Sequence, residues 1–390
     1  MSYLRRIPTR RLLALCAALV ALTAGGAAAI ALAAGGSGPT PPPKPLAQAV
    51  HDALAAPPVD GVTARISFTN HLVDAASLQG TDPILTGATG RLWASRDRLR
   101  LELQASGTGG GAGDVQVLAD RHRLSVIDLG SNTVYRVDLP RDRHPAQGVP
   151  SLARIQDALT RLAGHAVVSG AQPSNVAGRP AYTVRVAPRH DGGLLGGAEL
   201  AWDAEHGVPL RAAVYAAGRA DPVLELKATD ISFGPVAAGD LTVPEPAGAK
   251  VVDLSPPAGG DKAGPNAKPV TGLEAVRAKT GFAVAAPDSL VGLPRREVRL
   301  VDVDRSPGAL VTYGQGLGGI AVLETRAQQQ SQQGHHEGQL SLPKISVNGA
   351  SGEELDTALG TVVRFERAGV EYTVIGSVPP AAAEAAARGL

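Results

Sequence analysis

Between Leu194 and Val236, apolar and polar residues alternate in three runs separated by two turn signals. In the first run Ala198, Leu200 and Trp202 share one parity, and Glu199 and Asp203 take the other. In the third, Leu224, Leu226 and Ala228 oppose Glu225 and Lys227. Successive strand side chains point to opposite faces, so each run predicts a strand with one buried and one wetted face. Glu205-His206-Gly207 and Ala217-Gly218-Arg219 are short turn-forming joints, which predict an antiparallel meander.

The same period recurs upstream. Ile66 and Phe68 alternate with Arg65 and Ser67. Residues 87–105 read as a hairpin turning at Arg96-Asp97, with Leu99, Leu101 and Leu103 on one face and Arg98, Arg100 and Glu102 on the other. Further strands are expected over 114–119, 124–128, 133–139 (with Tyr135, Val137 and Leu139 on one side) and 182–186. Helical spacing marks Leu46, Val50 and Leu54, then Leu152, Ile155, Leu159 and Leu162 behind Ser151 as N-cap. Residues 46–253 thus predict an α+β unit of about ten strands, all antiparallel, with a short leading helix and one inserted helix.

Residues 254–270 form a Pro/Gly/Lys linker unable to bury a core. Residues 271–390 predict a smaller α+β unit. It has a helix over 272–279, strands over 298–303, 309–313, 320–324, 344–347, 360–366 and 370–375, and a terminal Ala-rich helix over 380–388.

The N-terminus reads differently. Arg5, Arg6, Arg10 and Arg11 precede an uncharged run from Leu12 to Ala34. About 20 apolar residues span a bilayer as a helix, and the arginine flank places everything beyond outside the cytoplasm. Residues 1–35 are therefore a membrane anchor, with a cleaved signal peptide as the alternative. The anchored reading places the chain at the cell membrane with its folded part extracytoplasmic; the cleaved reading makes it secreted. Residues 36–45 (GSGPTPPPKP) form a stiff polyproline spacer.

Composition narrows the chemistry. Hydrophobic residues are 44% but aromatics only 3%, with 47 Gly and 30 Pro, which favours turn-rich β structure. Lys plus Arg (37) balances Asp plus Glu (36), so charge argues for no nucleic-acid partner. The single cysteine, Cys16, lies in the apolar leader and leaves no disulfide or thiolate metal site for the rest.

Candidate catalytic motifs are few. Gly314, Gly316 and Gly319 satisfy GxGxxG, but a strand pattern follows where a dinucleotide site needs a helix, so the motif predicts a hairpin turn. His335, His336 and Glu337 sit adjacent on a polar loop, a poor chelating set. No serine occupies a nucleophile elbow, and the remaining histidines are scattered singly and expected to be mostly exposed. The reading is of a non-enzyme with no cofactor and no metal. The aromatics Phe68, Trp93, Tyr135, Tyr182, Trp202, Tyr215 and Phe233 fit either ordinary core packing or the lining of a cavity.

One resemblance organises these pieces. GRLWAS and DRLRLEL, then SNTVYRVDLP, GRPAYTVRVAP and AELAWDAEHGVPLRAAVY, then Asp230-Ile231-Ser232-Phe233 and Pro244-Glu245-Pro246-Ala247-Gly248-Ala249 resemble the superfamily of the LolA lipoprotein carrier and the RseB stress regulator. The resemblance covers residues 46–250 and implies a curved antiparallel half-barrel, covered by helices, whose apolar face holds acyl chains or an apolar peptide. It implies binding of a lipid or lipoprotein acyl group. Two alternatives are an RseB-like regulator that binds the extracytoplasmic segment of a membrane protein such as an anti-sigma factor, and a purely structural envelope module. Parity within each strand is read from alternation; that Ile66, Phe68, Leu99, Leu101, Leu103, Tyr135, Val137, Leu200, Trp202, Leu224 and Leu226 converge on one ligand-lining face is implied by the resemblance.

Overall fold

A computed structural model describes residues 38–73, 87–105, 114–139, 150–189, 193–253, 270–303, 306–327 and 342–390. The apolar leader with Cys16, the glycine-rich loop over 107–113 and the His335–Glu337 loop lie outside the described residues. Among the described residues no helix is long and apolar enough to cross a membrane.

Helix α1 (Leu46–Ala55) leads into strands β1 (Gly61–Asn70), β2 (Ala88–Ser95), β3 (Arg98–Ala105), β4 (Val115–Asp120), β5 (Arg123–Asp128) and β6 (Thr133–Asp138). Helix α2 (Leu152–His165) follows, capped as its sequence predicts by the Ser151 hydroxyl, which accepts from the Arg154 N–H at 3.4 Å. Then come β7 (Ala166–Val168), β8 (Gln172–Val176), β9 (Arg179–Pro188) and the predicted meander, β10 (Leu195–Asp203), β11 (Pro209–Ala216) and β12 (Leu224–Phe233). Strand β13 (Lys250–Asp253) ends this series.

These strands make one 13-stranded sheet, curled into a half-barrel, in the order β13-β6-β5-β4-β3-β2-β1-β12-β11-β10-β9-β7, with β8 paired to β9. Each hairpin places its neighbour beside it. The long-range pairing of β1 with β12 joins the two meanders, with a bulge between Arg65 and Ile66 that bends the sheet.

The expectation of a wholly antiparallel sheet fails at one edge. Strand β13 pairs with β6 in parallel, Lys250 beside Thr133 through Asp253 beside Arg136. The cause lies in residues 234–249, which cross the sheet face opposite the apolar one from the end of β12 to the far edge. Along this strap Leu241 is buried, the Asp240 carbonyl accepts from Arg100 at 3.2 Å, and Glu245 pairs with Arg136. A crossover over one face returns the chain in the same direction as its neighbour, as a tight turn cannot.

The second sheet has eight strands, ordered β14-β15-β16-β17-β21-β20-β19-β18. They are β14 (Ser289–Leu290), β15 (Leu293–Val303), β16 (Ser306–Tyr313), β17 (Ile320–Arg326), β18 (Lys344–Val347), β19 (Ala350–Thr357), β20 (Gly360–Arg367) and β21 (Val370–Gly376). Helices α3 (Leu273–Thr280) and α4 (Pro380–Arg388) pack on one face. Strand β19 is absent from the sequence reading, because Ser351, Gly352, Glu353, Glu354 and Asp356 show no strand signature. Pairing on both sides, to β18 and β20, holds it extended regardless.

Candidate ligand-binding face

The ladder supplies the cross-strand register that alternation within a strand lacks. Directly paired residues of neighbouring strands share a face. One row runs Ala64, Leu92, Leu101, Val117, Val126, Tyr135. Beside it runs Ala94, Leu99, Ala119, Leu124, Val137. On the other side Ala228, Ile66, Gly90, Leu103 and Val115 align. A fourth row, Val184, Leu200, Ala212, Leu226 and Phe68, carries the same face across the β1–β12 junction into the meander. Leu224 follows through Val214 and Ala198, and Trp202 through Tyr182.

All the ligand-face candidates therefore lie on one face, but not in one cluster. Ile66, Phe68, Leu101, Leu103, Tyr135, Leu224 and Leu226 pack together. Leu200 and Trp202 belong to a separate cluster with Tyr182, Val184 and Val186, covered by Leu46, Ala49, Val50 and Ala53 of α1. Leu99 and Val137 stand beyond both clusters at the rim.

Burial along this face is graded. At the end marked by Leu72, Phe68, Leu103, Val115 and Leu224 are each no more than 8% exposed. Toward the opposite end Leu92, Leu99, Leu124 and Val137 are half-buried, as is Leu101 midway, while Val117 and Val126 beside Leu101 are buried. A set of half-buried aliphatic side chains, with the Tyr135 phenol at its β6 edge, offers an apolar ligand dispersion and desolvation.

The other face is polar, and two of its residues depart from expectation. Alternation predicts Glu199 and Asp203 on the wetted face, yet both are buried, Asp203 completely. Each is neutralised by an arginine from a neighbouring strand: Arg211 pairs with Glu199 and Glu225, and Arg179 donates to Asp203 at 2.8 Å. Asp203 also accepts from the backbone N–H groups of Glu205 (3.0 Å) and His206 (2.7 Å) and lies 3.0 Å from the His206 ring. Burial pushes its carboxyl up, but the bonds from Arg179 and His206 outweigh burial and hold it below the usual carboxylate range. His206 stacks on Phe233, with ring centroids 4.2 Å apart, so this histidine is fixed in place.

Asp203, Glu205 and His206 bring three ligand atoms within 4.8 Å. The Arg179 guanidinium already fills the space between them, bonding Asp203 and Glu205, so the group is a turn lock for β10–β11. Beside it a cleft of about 440 Å³ lies between Thr40, Pro41, Pro42, Lys44, Arg179 and Tyr182. The proline-rich spacer, expected to be stiff and extended, packs here through Pro39 and Pro42. Tyr182 donates to the Pro42 carbonyl at 2.7 Å and Asn175 to the Pro39 carbonyl at 2.9 Å.

Gly314–Gly319 forms the β16–β17 hairpin turn, with Gly314 at φ +75° and Gly316 at φ +64° and a strand behind it. Of the other aromatics, Trp93 and Tyr215 lie on the polar face under arginines, 4.8 Å from Arg100 and 4.4 Å from Arg185.

No protein-family model matches this chain, and no curated protein matches it. Some solved structures show a partial likeness to it. The crystal structure of MucB in complex with MucA(peri) is 18% identical, covers 88% of this chain and 94% of that one, and gives a TM-score of 0.42. The MucA/MucB complex structure of Pseudomonas aeruginosa is 19% identical, with coverage of 88% and 94% and a TM-score of 0.41. A LolA superfamily protein from Nitrosomonas europaea is 10% identical, covers 51% of this chain and 98% of that one, and gives a TM-score of 0.21.

Proposed function

We propose that this protein binds the acyl chain of a lipid or lipoprotein on the apolar face of its large sheet, outside the cytoplasm, as a carrier or handover protein. The observation that carries this reading is the set of apolar rows from Val184 to Tyr135, buried around Phe68 and Leu103 and half-buried at Leu92, Leu99, Leu124 and Val137. A sheet whose only task was a solid core would gain by sealing both ends. Each methylene moved from water onto such a face contributes about 0.8 kcal/mol before ordering costs. One fatty chain therefore suffices for useful affinity with no polar contact.

Native mass spectrometry of the protein purified from its own membrane tests this: an acyl lipid should co-purify with the wild type. Leu101→Glu places a charge in the middle of the face, where it must shed its water or expel the ligand; the bound lipid should be lost. Leu101→Phe adds volume without charge and should leave the protein folded while reducing the load of long-chain lipid. A wild type that never carries lipid, together with a Leu101→Phe variant that unfolds, would make the face a solid core and end this reading.

A further inference from the structure

The buried end of the apolar face is closed by a part of the other sheet. The turn between β19 and β20 meets the large sheet just beyond β1, where the Ala358 N–H donates to the Leu72 carbonyl at 2.7 Å. Next to it the Leu194 N–H, at the start of β10, lies 3.0 Å from both the carbonyl and the hydroxyl oxygen of Ser377. The same Ser377 hydroxyl donates to the Leu359 carbonyl at 2.8 Å, so one side chain ties the turn to the rim of the half-barrel. The turn is shaped internally as well: the Thr357 hydroxyl donates to the Gly360 carbonyl at 2.7 Å and accepts from the Leu359 N–H at 3.3 Å. What this scaffold presents to the large sheet is apolar. Ala358 and Leu359 pack against the cluster that holds Phe68, Leu72, Leu103 and Leu224.

The two ends of the face are thus unlike. From Leu99 to Leu103 along β3 is about 14 Å. Over that length exposure falls from half-buried to 3%. A linear chain entering at the Leu99 end and lying along the strands advances toward the end where the turn stands. Its terminal methyl can go no further than the apolar side chains seated there.

We propose that Ala358 and Leu359 form the end wall of the acyl site, so that the small sheet sets the length of chain the large sheet accepts. This rests on the acyl-binding reading above. Leu359 is the length-determining side chain, because it is the larger of the two. Ser377 is a positioning residue that holds the wall in place.

The test is isothermal titration calorimetry of the full chain, freed of lipid, with decanoate, myristate and stearate as probes. Each further methylene that finds apolar cover gains about fourfold in affinity. In the wild type the gain should therefore stop at the chain that reaches the wall. Leu359→Ala removes part of the wall and should raise the stearate-to-myristate affinity ratio about tenfold. Leu359→Trp should lower that ratio below the wild-type value. Ser377→Ala leaves the wall's side chains intact but loosens their seat, and should raise the ratio too; it keeps the test open if a Leu359 variant fails to fold. All three probes bound with an unchanged ratio in every folded variant would overturn the end wall and leave acyl binding standing. A wild type that binds none of the three would overturn the acyl-binding reading and the end wall with it.

Discussion

The two sheets are built from the same alternation and end in different interiors. In the small sheet Val311, Val322, Val363 and Val374 are completely buried, and so are Ala383, Ala386 and Ala387 of α4 above them. In the large sheet Ile66, Leu103, Val117 and Val126 are buried as well, but Leu92, Leu101 and Leu226 among them remain half-buried. The difference follows from what lies on each face. The small sheet carries an Ala-rich helix whose small side chains let it approach the strands closely, with α3 beside it. In the large sheet α1 packs over Trp202 and Tyr182, at the meander side. Period-2 patterning therefore predicts a strand in both places, and only the covering element decides whether its apolar face becomes a core or a surface that can take a ligand.

The largest expected effect separates these interiors directly. Val363→Asp puts a carboxylate into the sealed sheet, with no partner to replace its water, and should cost more than about 4 kcal/mol. Leu99→Asp places the same group at the half-buried rim and should cost about 1 kcal/mol, because its carboxylate can reach solvent. Urea unfolding of both variants checks the contrast. Equal losses would mean that the rim is as closed as the core.

The small sheet already holds one buried acid, and its titration gives the second prediction. Glu324 is completely buried; one carboxyl oxygen accepts from the Ala285 N–H at 2.8 Å and the other has no partner. Burial, opposed by the Ala285 N–H and by Arg277, pushes its pKa up to about 7. The folded state therefore binds this proton more tightly than the unfolded chain, whose glutamates titrate near ~4.3. The stability tied to this proton is complete below about pH 4 and is lost as pH rises toward 7, in total about 3 kcal/mol. Glu324→Gln keeps the group neutral at every pH. The variant should match the wild type within about 1 kcal/mol at pH 4 and exceed it by about 3 kcal/mol at pH 8. Chemical denaturation at the two pH values reads this out, and parallel pH profiles for the two proteins would refute it.

Much of this architecture is legible in the sequence, and the parts that are not share one cause. Leu99, Leu101 and Leu103 announce β3, and the runs around Leu200 and Leu224 announce the meander, because a strand's own alternation is local. That Leu226 lies beside Phe68, or Leu101 beside Val117, depends on ladder pairing between separate strands, and no single strand records it. The burial of Asp203 was unreadable for the same reason: its neutralising partner, Arg179, comes from another strand. The parallel edge at β13 depends on the strap over 234–249, whose Pro and Gly residues read as loop wherever that loop travels. The contact of Leu359 with the large sheet is the extreme case. Ala358 and Leu72 meet from distant parts of the chain, and nothing in Thr357 to Gly360 marks that contact in the sequence.

The smallest expected effect concerns turn chemistry, and it sharpens the contrast from within the closed sheet. Three hairpins of the small sheet use the same backbone, among them Ala368-Gly369 between β20 and β21 with φ +52° and +74°. Asn348-Gly349 joins β18 to β19 with φ +48° and +85°, and Val291-Gly292 joins β14 to β15 with φ +45° and +80°. Paired positive φ values are the mark of the turn that asparagine and glycine favour, since glycine lacks a Cβ and asparagine tolerates the left-handed region. Asn348 also donates to the Arg388 carbonyl at 2.8 Å and so ties its turn to α4. Valine has two branches at Cβ and is strained in this region, and Val291 is 44% exposed, so little packing offsets the strain. Val291→Asn should therefore stabilise the protein by about 1 kcal/mol, whereas Asn348→Val should destabilise it by at least as much. Thermal melts of the two variants provide the measurement. Because the strain belongs to the closed sheet, neither change should alter which fatty acids the large sheet binds. A loss of stability in Val291→Asn would show that the valine makes a contact worth more than its strain.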